Sequence, residues 1–250
     1  VYHRDEKVIN CFNALKDTVI PDGWRVHTFV GFNGGSPELK NYLVSWEGKL
    51  RFFDTINPAF YQVLDYGENL GKPAIVNRMV DSMADSVPFN YVLSYDSDLV
   101  AQDPEWLWKF VEAFEFFPKW KDLGALSAQQ TGHCCHVLKN STSYSGSNYS
   151  ESRYAGYTYQ SVPRNEGIAG GAILTPYHVW RTIGGYLANR IYGADDAHYA
   201  LALHQHNLLM CVVDQVSLYH PPGDDPAYSE WKQKACRDGL SGDELKGFYH

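Results

Sequence analysis

Residues Tyr91-Val92-Leu93-Ser94-Tyr95-Asp96-Ser97-Asp98 decide how the rest of this chain is read. Tyr91 to Tyr95 is short, apolar and aromatic, the composition of a buried strand. It runs straight into two carboxylates spaced i, i+2. At the exit of a strand such a pair can converge on a loop and hold a hard divalent cation, Mg²⁺ or Mn²⁺, through oxygen. A cation there would stabilise the negative charge that develops on a departing diphosphate. The competing interpretation is an acidic turn with solvated side chains, and the strand ahead of Asp96 weighs against it.

Outward from this stretch, strands and helices alternate. Residues 6–17 carry Val8, Cys11, Phe12 and Leu15 at helical spacing. Pro21-Asp22-Gly23 is a turn. Trp24 to Phe32 reads as a strand ending in Asn33-Gly34-Gly35, and Leu50 to Asp54 as another short one. Asn69-Leu70-Gly71-Lys72 is a loop that precedes a helix over Ala74 to Val87. Residues 103–117 give the clearest helix, with Asp103 as N-cap, Pro104 in the first turn and Pro118 as the stop. Leu123 to Ala128 is the next strand. This order predicts an α/β domain with a mostly parallel sheet flanked by helices. Ligands of such sheets bind at the carboxyl ends of the strands, where Asn33 and Asp96 fall.

Residues 131–165 are Ser, Tyr, Asn and Gly with little periodicity, and they predict a long loop, read equally as a lid or binding loop or as plain disorder or decoration. Regular structure returns with a strand over Gly167 to Leu174. Thr175 and Pro176 then start a helix that ends at Gly184-Gly185. Asp195 or Asp196 opens a further helix running to about His206, and Leu208 to Val213 is the last strand. No internal repeat or linker interrupts this pattern, so residues 1–250 are expected to form one domain.

Two more groups of residues can carry chemistry. Gly170 and Gly171 leave space for a ligand to approach the backbone, and Gly184-Gly185-Tyr186 follows. Asp195 and Asp196 open a helix, where the dipole favours a charged carboxylate, and one of them could accept a proton from an attacking hydroxyl. The same pair also serves as an ordinary helix cap. His220, in Tyr219-His220-Pro221-Pro222 after the last strand, could supply a neutral imidazole to the metal.

Bulk properties narrow the class. With 29 Asp and Glu against 21 Lys and Arg, the formal charge is −8. Proteins that live on phosphate backbones usually carry the opposite sign, so nucleic acid is disfavoured as the main ligand. The 18 Tyr, 12 Phe and 7 Trp supply core and possible stacking faces for sugar rings or bases. Five cysteines without a CxxC spacing argue against a disulfide framework and a zinc knot. Cys11 and Cys211 read as small buried hydrophobes, and a zinc site at His133 and His136 around Cys134-Cys135 is the minor alternative. A reducing, cytoplasmic setting is expected. No apolar stretch approaches the roughly 20 residues that span a bilayer.

In order and spacing these pieces resemble the large family-2 class of inverting glycosyltransferases with the GT-A fold. The resemblance rests on Phe32-Asn33-Gly34-Gly35-Ser36, Asn69-Leu70-Gly71-Lys72, Asp96 and Asp98, Gly170-Gly171-Ala172, Gly184-Gly185-Tyr186, the acids Asp195 and Asp196, and His220 with Trp231-Lys232. It implies a Rossmann-like domain whose residues 1–130 bind a nucleotide-sugar and whose residues 131–250 bind the acceptor. His3, Arg4 and Asn33 would line the nucleotide pocket, with Lys72 near the diphosphate or base. Asp96 would face the ribose or metal, Asp98 would be the main metal ligand, and His220 would complete the metal site. Asp196 would be the catalytic base, helped by Asp195, while Gly170, Gly171 and Tyr186 would border the acceptor and sugar pocket.

The resemblance further implies a Mn²⁺ or Mg²⁺ cofactor, a donor that is most often a UDP-sugar, and a glycan or other hydroxyl as acceptor. The chain departs from the family at Asn33, where an acid is usual, and at Asp195, where Glu is usual. The family's first strand would lie ahead of Tyr2. Rival readings are a retaining transferase on the same fold, a nucleotidyltransferase, and a sugar- or nucleotide-binding module without turnover.

Overall fold

A computed structural model describes residues 5–46, 61–119, 121–132, 150–162, 170–188, 195–221 and 226 of the chain. Within them the chain forms a mixed α/β fold built on a central multi-stranded sheet flanked by helices. The elements in order are α1 (Asp5–Leu15), β1 (Thr28–Phe32), α2 (Pro37–Val44), β2 (Tyr61–Asp65), α3 (Lys72–Ala84), β3 (Tyr91–Tyr95) and β4 (Val100–Ala101). They are followed by α4 (Trp106–Glu115), β5 (Leu123–Gly132), β6 (Ser150–Tyr154), β7 (Tyr157–Ser161), β8 (Ala172–Pro176), α5 (Tyr177–Ile183), α6 (Asp195–Gln205) and β9 (Leu209–His220).

The sheet's strand order is β3-β8-β5-β9-β7-β6, with β4 also on β9, while β1 and β2 pair separately. Only β1/β2 and β5/β9 are parallel; the other five pairings are antiparallel. The expected mostly parallel sheet is therefore corrected to a mixed one. The register shows it directly: β8 runs antiparallel to both β3 and β5, and β7 antiparallel to β9.

Alternate residues of the central strands feed two different cores. Leu126, Leu174, Cys211 and Val213 join α4 on one face, and Ala125, Ile173, Met210 and Val212 join α3, α5 and α6 on the other. That period of two is what a sheet buried on both sides requires. A third cluster joins Val8, Cys11 and Phe12 of α1 to Leu39 and Leu43 of α2 and to β1. Cys11 and Cys211 are buried free thiols, as their apolar surroundings in sequence suggest.

Element boundaries differ from the sequence reading in informative ways. α4 begins at Trp106, and Asp103 caps the turn before it by accepting from the Glu105 N–H at 3.0 Å. The helix has no side-chain cap of its own. Burying Phe110 and Phe114, each worth roughly 1.5–3 kcal/mol, outweighs the ~1 kcal/mol that a cap supplies.

The long loop predicted for 131–165 is corrected where it is described, because Ser150–Ser161 is a hairpin. Ala155 (φ 50°) and Gly156 (φ 87°) form its two-residue turn, both with positive φ, as the twist of a tight hairpin demands. Tyr157 and Tyr159 pack under α4, and the Tyr159 hydroxyl donates to the Ala113 carbonyl at 2.7 Å.

β1 starts at Thr28, four residues later than expected, and α2 and β2 were not foreseen. The strand expected over Leu50 to Asp54 lies outside the described residues. Among the described residues no helix is long and apolar enough to cross a membrane.

β9 is the longest strand and changes partners along its length. Up to Val213 it lies between β5 and β7, and from Leu218 between β5 and β4. Asp214–Val216 bulge out of the β5 ladder. There the Gln160 amide donates to Asp214 and the Thr158 N–H donates to Gln215, both at 2.8 Å, so side chains replace ladder bonds.

Candidate functional site

The carboxyl ends of β1 and β3 open into one cavity of about 1520 Å³. This is larger than an ordinary ligand pocket of about 300–1,000 Å³, because it continues inward between β1 and β3, which are not paired with each other. Its polar mouth is bordered by Asn33, Lys72, Asp96 and Asp98 from the first half of the chain, and by Asp195, Asp196 and His220 from the second. Seven residues singled out in sequence thus meet at one place. His3 and Arg4 lie outside the described residues, as do Trp231 and Lys232.

Asp96 leaves β3 pinned through its backbone, whose N–H donates to the Gly171 carbonyl at 2.7 Å. Its carboxylate pairs with the Lys72 ammonium at 2.7 Å, and the two side chains are 33% and 26% exposed. Burial raises the Asp96 pKa above the usual carboxylate value, while Lys72 counteracts.

Two residues on, Asp98 lies 3.6 Å from His220 Nε2, and both side chains are mostly buried. The pairing of Val100 with Tyr219 dictates this meeting, since it sets His220 next to the residues that precede β4. A carboxylate and an imidazole with room left around them fit Mn²⁺ or Mg²⁺, which completes its shell with phosphate oxygens and water. Among the described residues no three His, Cys, Asp or Glu side chains converge into a closed metal centre. Asp96 in particular is turned to Lys72.

Asp196 stands in the first turn of α6. Its Oδ2 accepts the Gly170 N–H at 2.9 Å, while its buried Oδ1 has no hydrogen-bond partner. Burial, followed by the adjacent Asp195 charge, pushes its pKa up to about 7. A half-buried carboxylate tuned toward neutrality at the edge of a cavity is the physical profile of a proton acceptor.

Three placements differ from the sequence reading. The space left by Gly170 and Gly171 is filled by the chain itself. A Cβ on Gly170 would lie 1.6 Å from Asp196 Oδ1, and one on Gly171 2.4 Å from the Gln130 amide nitrogen. Tyr186, expected at the acceptor pocket, is instead 2% exposed and packs on Trp180 and Tyr199 at ring separations of 5.4 and 4.8 Å. It floors the site.

Asn33 borders the cavity, but its amide is spent on the loop before α3. It accepts from the Leu70 N–H at 2.7 Å and donates to Asn69 Oδ1 at 2.6 Å. Asn69 in turn accepts from the Gly71 N–H at 3.0 Å, so this pair of asparagines shapes the entry to α3. Gln130, buried at 3% beneath Gly171, was not singled out from the sequence, and Asn69 was read there only as part of the loop before the helix. Only their polarity within an apolar strand and a Gly-containing loop pointed to them.

Among protein families the sequence matches none, and no characterised protein matches it by sequence. Solved structures do match by fold. The mannosyltransferase PcManGT from Pyrobaculum calidifontis, solved with GDP-Man and Mn²⁺, superposes with a TM-score of 0.65 at 13% identity, over 100% of this chain and 66% of that one. S. aureus TarS (residues 1–349) gives 0.60 at 12% identity, over 100% and 67%. GalNAc-T7, solved with UDP, GalNAc and Mn²⁺, gives 0.56 at 8% identity, over 86% and 41%. The present chain thus spans two thirds or less of the length of these proteins. The fold is the GT-A fold of glycosyltransferases.

Proposed function

We propose that this chain is a metal-dependent glycosyltransferase that moves a sugar from a nucleoside-diphosphate sugar to an acceptor hydroxyl with inversion. The observation that carries the reading is Asp196: a half-buried carboxylate, one oxygen fixed and the other, itself buried, without a partner, beside Asp96, Asp98 and His220 in one cavity. That two of the fold neighbours were solved with nucleotide and Mn²⁺ supports a donor of the same chemistry here. UDP-sugars are the first donors to try. The acid-rich balance of the chain favours a glycan or other neutral hydroxyl acceptor over nucleic acid.

In this reading Asp98 and His220 would hold the cation, with Asp96 alongside, and the donor diphosphate would lie over them. The cation, when bound, supplies positive charge to the leaving diphosphate. Asp196 Oδ1 takes the proton of the acceptor hydroxyl, whose oxygen attacks the anomeric carbon from the face opposite the departing nucleotide. The carbon–oxygen bond to the diphosphate breaks as the new glycosidic bond forms, and single displacement inverts the centre. Residues 1–130 would hold the donor and residues 131–250 the acceptor, in one domain.

The test is a donor screen with UDP-, GDP- and dTDP-sugars, with and without Mn²⁺, reading released nucleotide. Metal-dependent release that is lost in Asp98→Ala is expected, and NMR of the transferred sugar should show the inverted anomer. No release from any donor, with no metal-dependent thermal shift, would instead support a binding module. A retained anomer would keep the transferase and overturn the single displacement.

A further inference from the structure

We propose that Lys72 is a positioning residue that fixes the base Asp196 relative to Asp96, and not a ligand of the donor diphosphate; this rests on the transferase reading above. An ammonium has three N–H donors. One goes to Asp96 Oδ1 at 2.7 Å and one to the Gly170 carbonyl at 2.5 Å, 98 residues away in sequence. The remaining side of the ammonium faces the Tyr186 ring, 5.8 Å from its centroid, within the reach of a cation–π contact. Two of its donors are thus committed to the chain itself, with the ring within cation–π reach of the same ammonium.

Gly170 is the residue through which this contact reaches the base. Its carbonyl receives Lys72, and its N–H holds Asp196 Oδ2 at 2.9 Å. The next residue, Gly171, receives the Asp96 N–H. One side chain from the start of α3 therefore ties the end of β3 to the turn that grips α6. The same helix also secures Tyr186, because Asn77 donates to the Tyr186 carbonyl at 2.7 Å and accepts the Tyr186 N–H at 3.0 Å. Burial works to lower the Lys72 pKa, but Asp96, followed by Tyr186, Asp196 and Asp195, holds it well above its ordinary value, so the clamp stays charged.

The experiment compares the wild-type chain with Lys72→Met and Lys72→Arg. UDP and GDP are each titrated by calorimetry with Mn²⁺, and kcat is taken at saturating donor. Loss of a positioning contact should leave nucleotide Kd within about 3-fold and lower kcat by about 10- to 100-fold in Lys72→Met. Lys72→Arg, which keeps the charge, should recover part of that loss. A Kd weakened by about 10-fold or more with kcat retained would show a diphosphate ligand and overturn the proposal.

A second readout does not depend on turnover: the carboxyl ¹³C shift of Asp196 followed through pH. The groups facing that carboxylate are Asp195 on its own helix, Lys72, Asp96 and the Tyr186 phenol. Removing the ammonium in Lys72→Met should move the Asp196 midpoint upward from about 7. An unmoved midpoint overturns the clamp even where the wild type turns over every donor. A wild type that turns over none would sink the transferase reading, while an upward shift would still support the contact.

Discussion

Asp196 occupies the volume in which a side chain on Gly170 would stand, its Oδ1 lying 1.6 Å from the position of a Cβ there. Residue 170 is thus Gly because the carboxylate needs its place as well as its N–H. Gly170→Ala should displace the carboxylate and lower donor turnover by about 100-fold or more, the cost of a misplacement near 1 Å. The assay is released nucleotide, with a melting curve to confirm folding.

Asp196→Asn separates chemistry from stability. Turnover should fall about 10²- to 10⁴-fold, the range for loss of a general base. Stability should move the other way. The folded pKa, about 7, lies above the unfolded carboxylate value. The folded state therefore binds the extra proton, and its stabilisation is complete below pH ~4 and lost as pH rises to ~7. Above that pH the charged carboxylate costs on the order of a few kcal/mol, which the amide avoids. The wild-type melting temperature should drop between pH 5 and 8 by clearly more than that of the variant.

Asp195 raises the pKa of its neighbour, second only to burial. Asp195→Asn should therefore shift the acidic limb of the kcat/KM–pH profile to lower pH, since the base would lose its proton more readily. A limb that stays in place, or moves up, would remove Asp196 from the base role or Asp195 from its surroundings.

His220→Ala should raise the Mn²⁺ concentration for half-maximal turnover by about 10-fold or more, with the fold intact. A metal titration of donor release reads this directly. An unchanged titration would leave Asp98 to act without the imidazole 3.6 Å away.

Asn33→Ala breaks two hydrogen bonds that order residues 69–71. A loss of about 1 kcal/mol in stability is expected, the cost of stranding partly buried partners. Urea melts at constant m-value would check it.

The strand–carboxylate junction at Tyr95-Asp96 was legible because apolar patterning and an abrupt change to charge are both local signals. So were α6 and its paired acids. The hairpin at 150–161 was not, because its turn places Ala155 where Asn or Asp would announce it. The antiparallel entry of β8 escaped notice for a different reason: strand direction depends on what precedes the strand, and composition carries no record of it.

The site residues were found by type but assigned by analogy, and there the geometry speaks differently. Asn33, Gly170, Gly171 and Tyr186 look like ligand-facing positions in sequence. In the fold their bonds and volumes are taken up by Asn69, Asp196, Gln130 and Trp180. Sequence shows which residues are polar or small; it does not show which neighbours they satisfy.

The bulge in β9 acts as a gauge for the distance between fold and chemistry. Up to Val213 the strand is interior scaffold, and seven residues later it delivers His220 to Asp98. Side chains alternate faces along a strand, so the count of residues through Asp214–Val216 sets both how far the imidazole reaches and which way it points. Loss or gain of one residue there would leave the ladder up to Val213 in register and shift Leu218 and the histidine together, turning the imidazole away from the carboxylate. Chain length at the bulge, as much as the identity of Asp98 and His220, thus sets whether the two side chains meet.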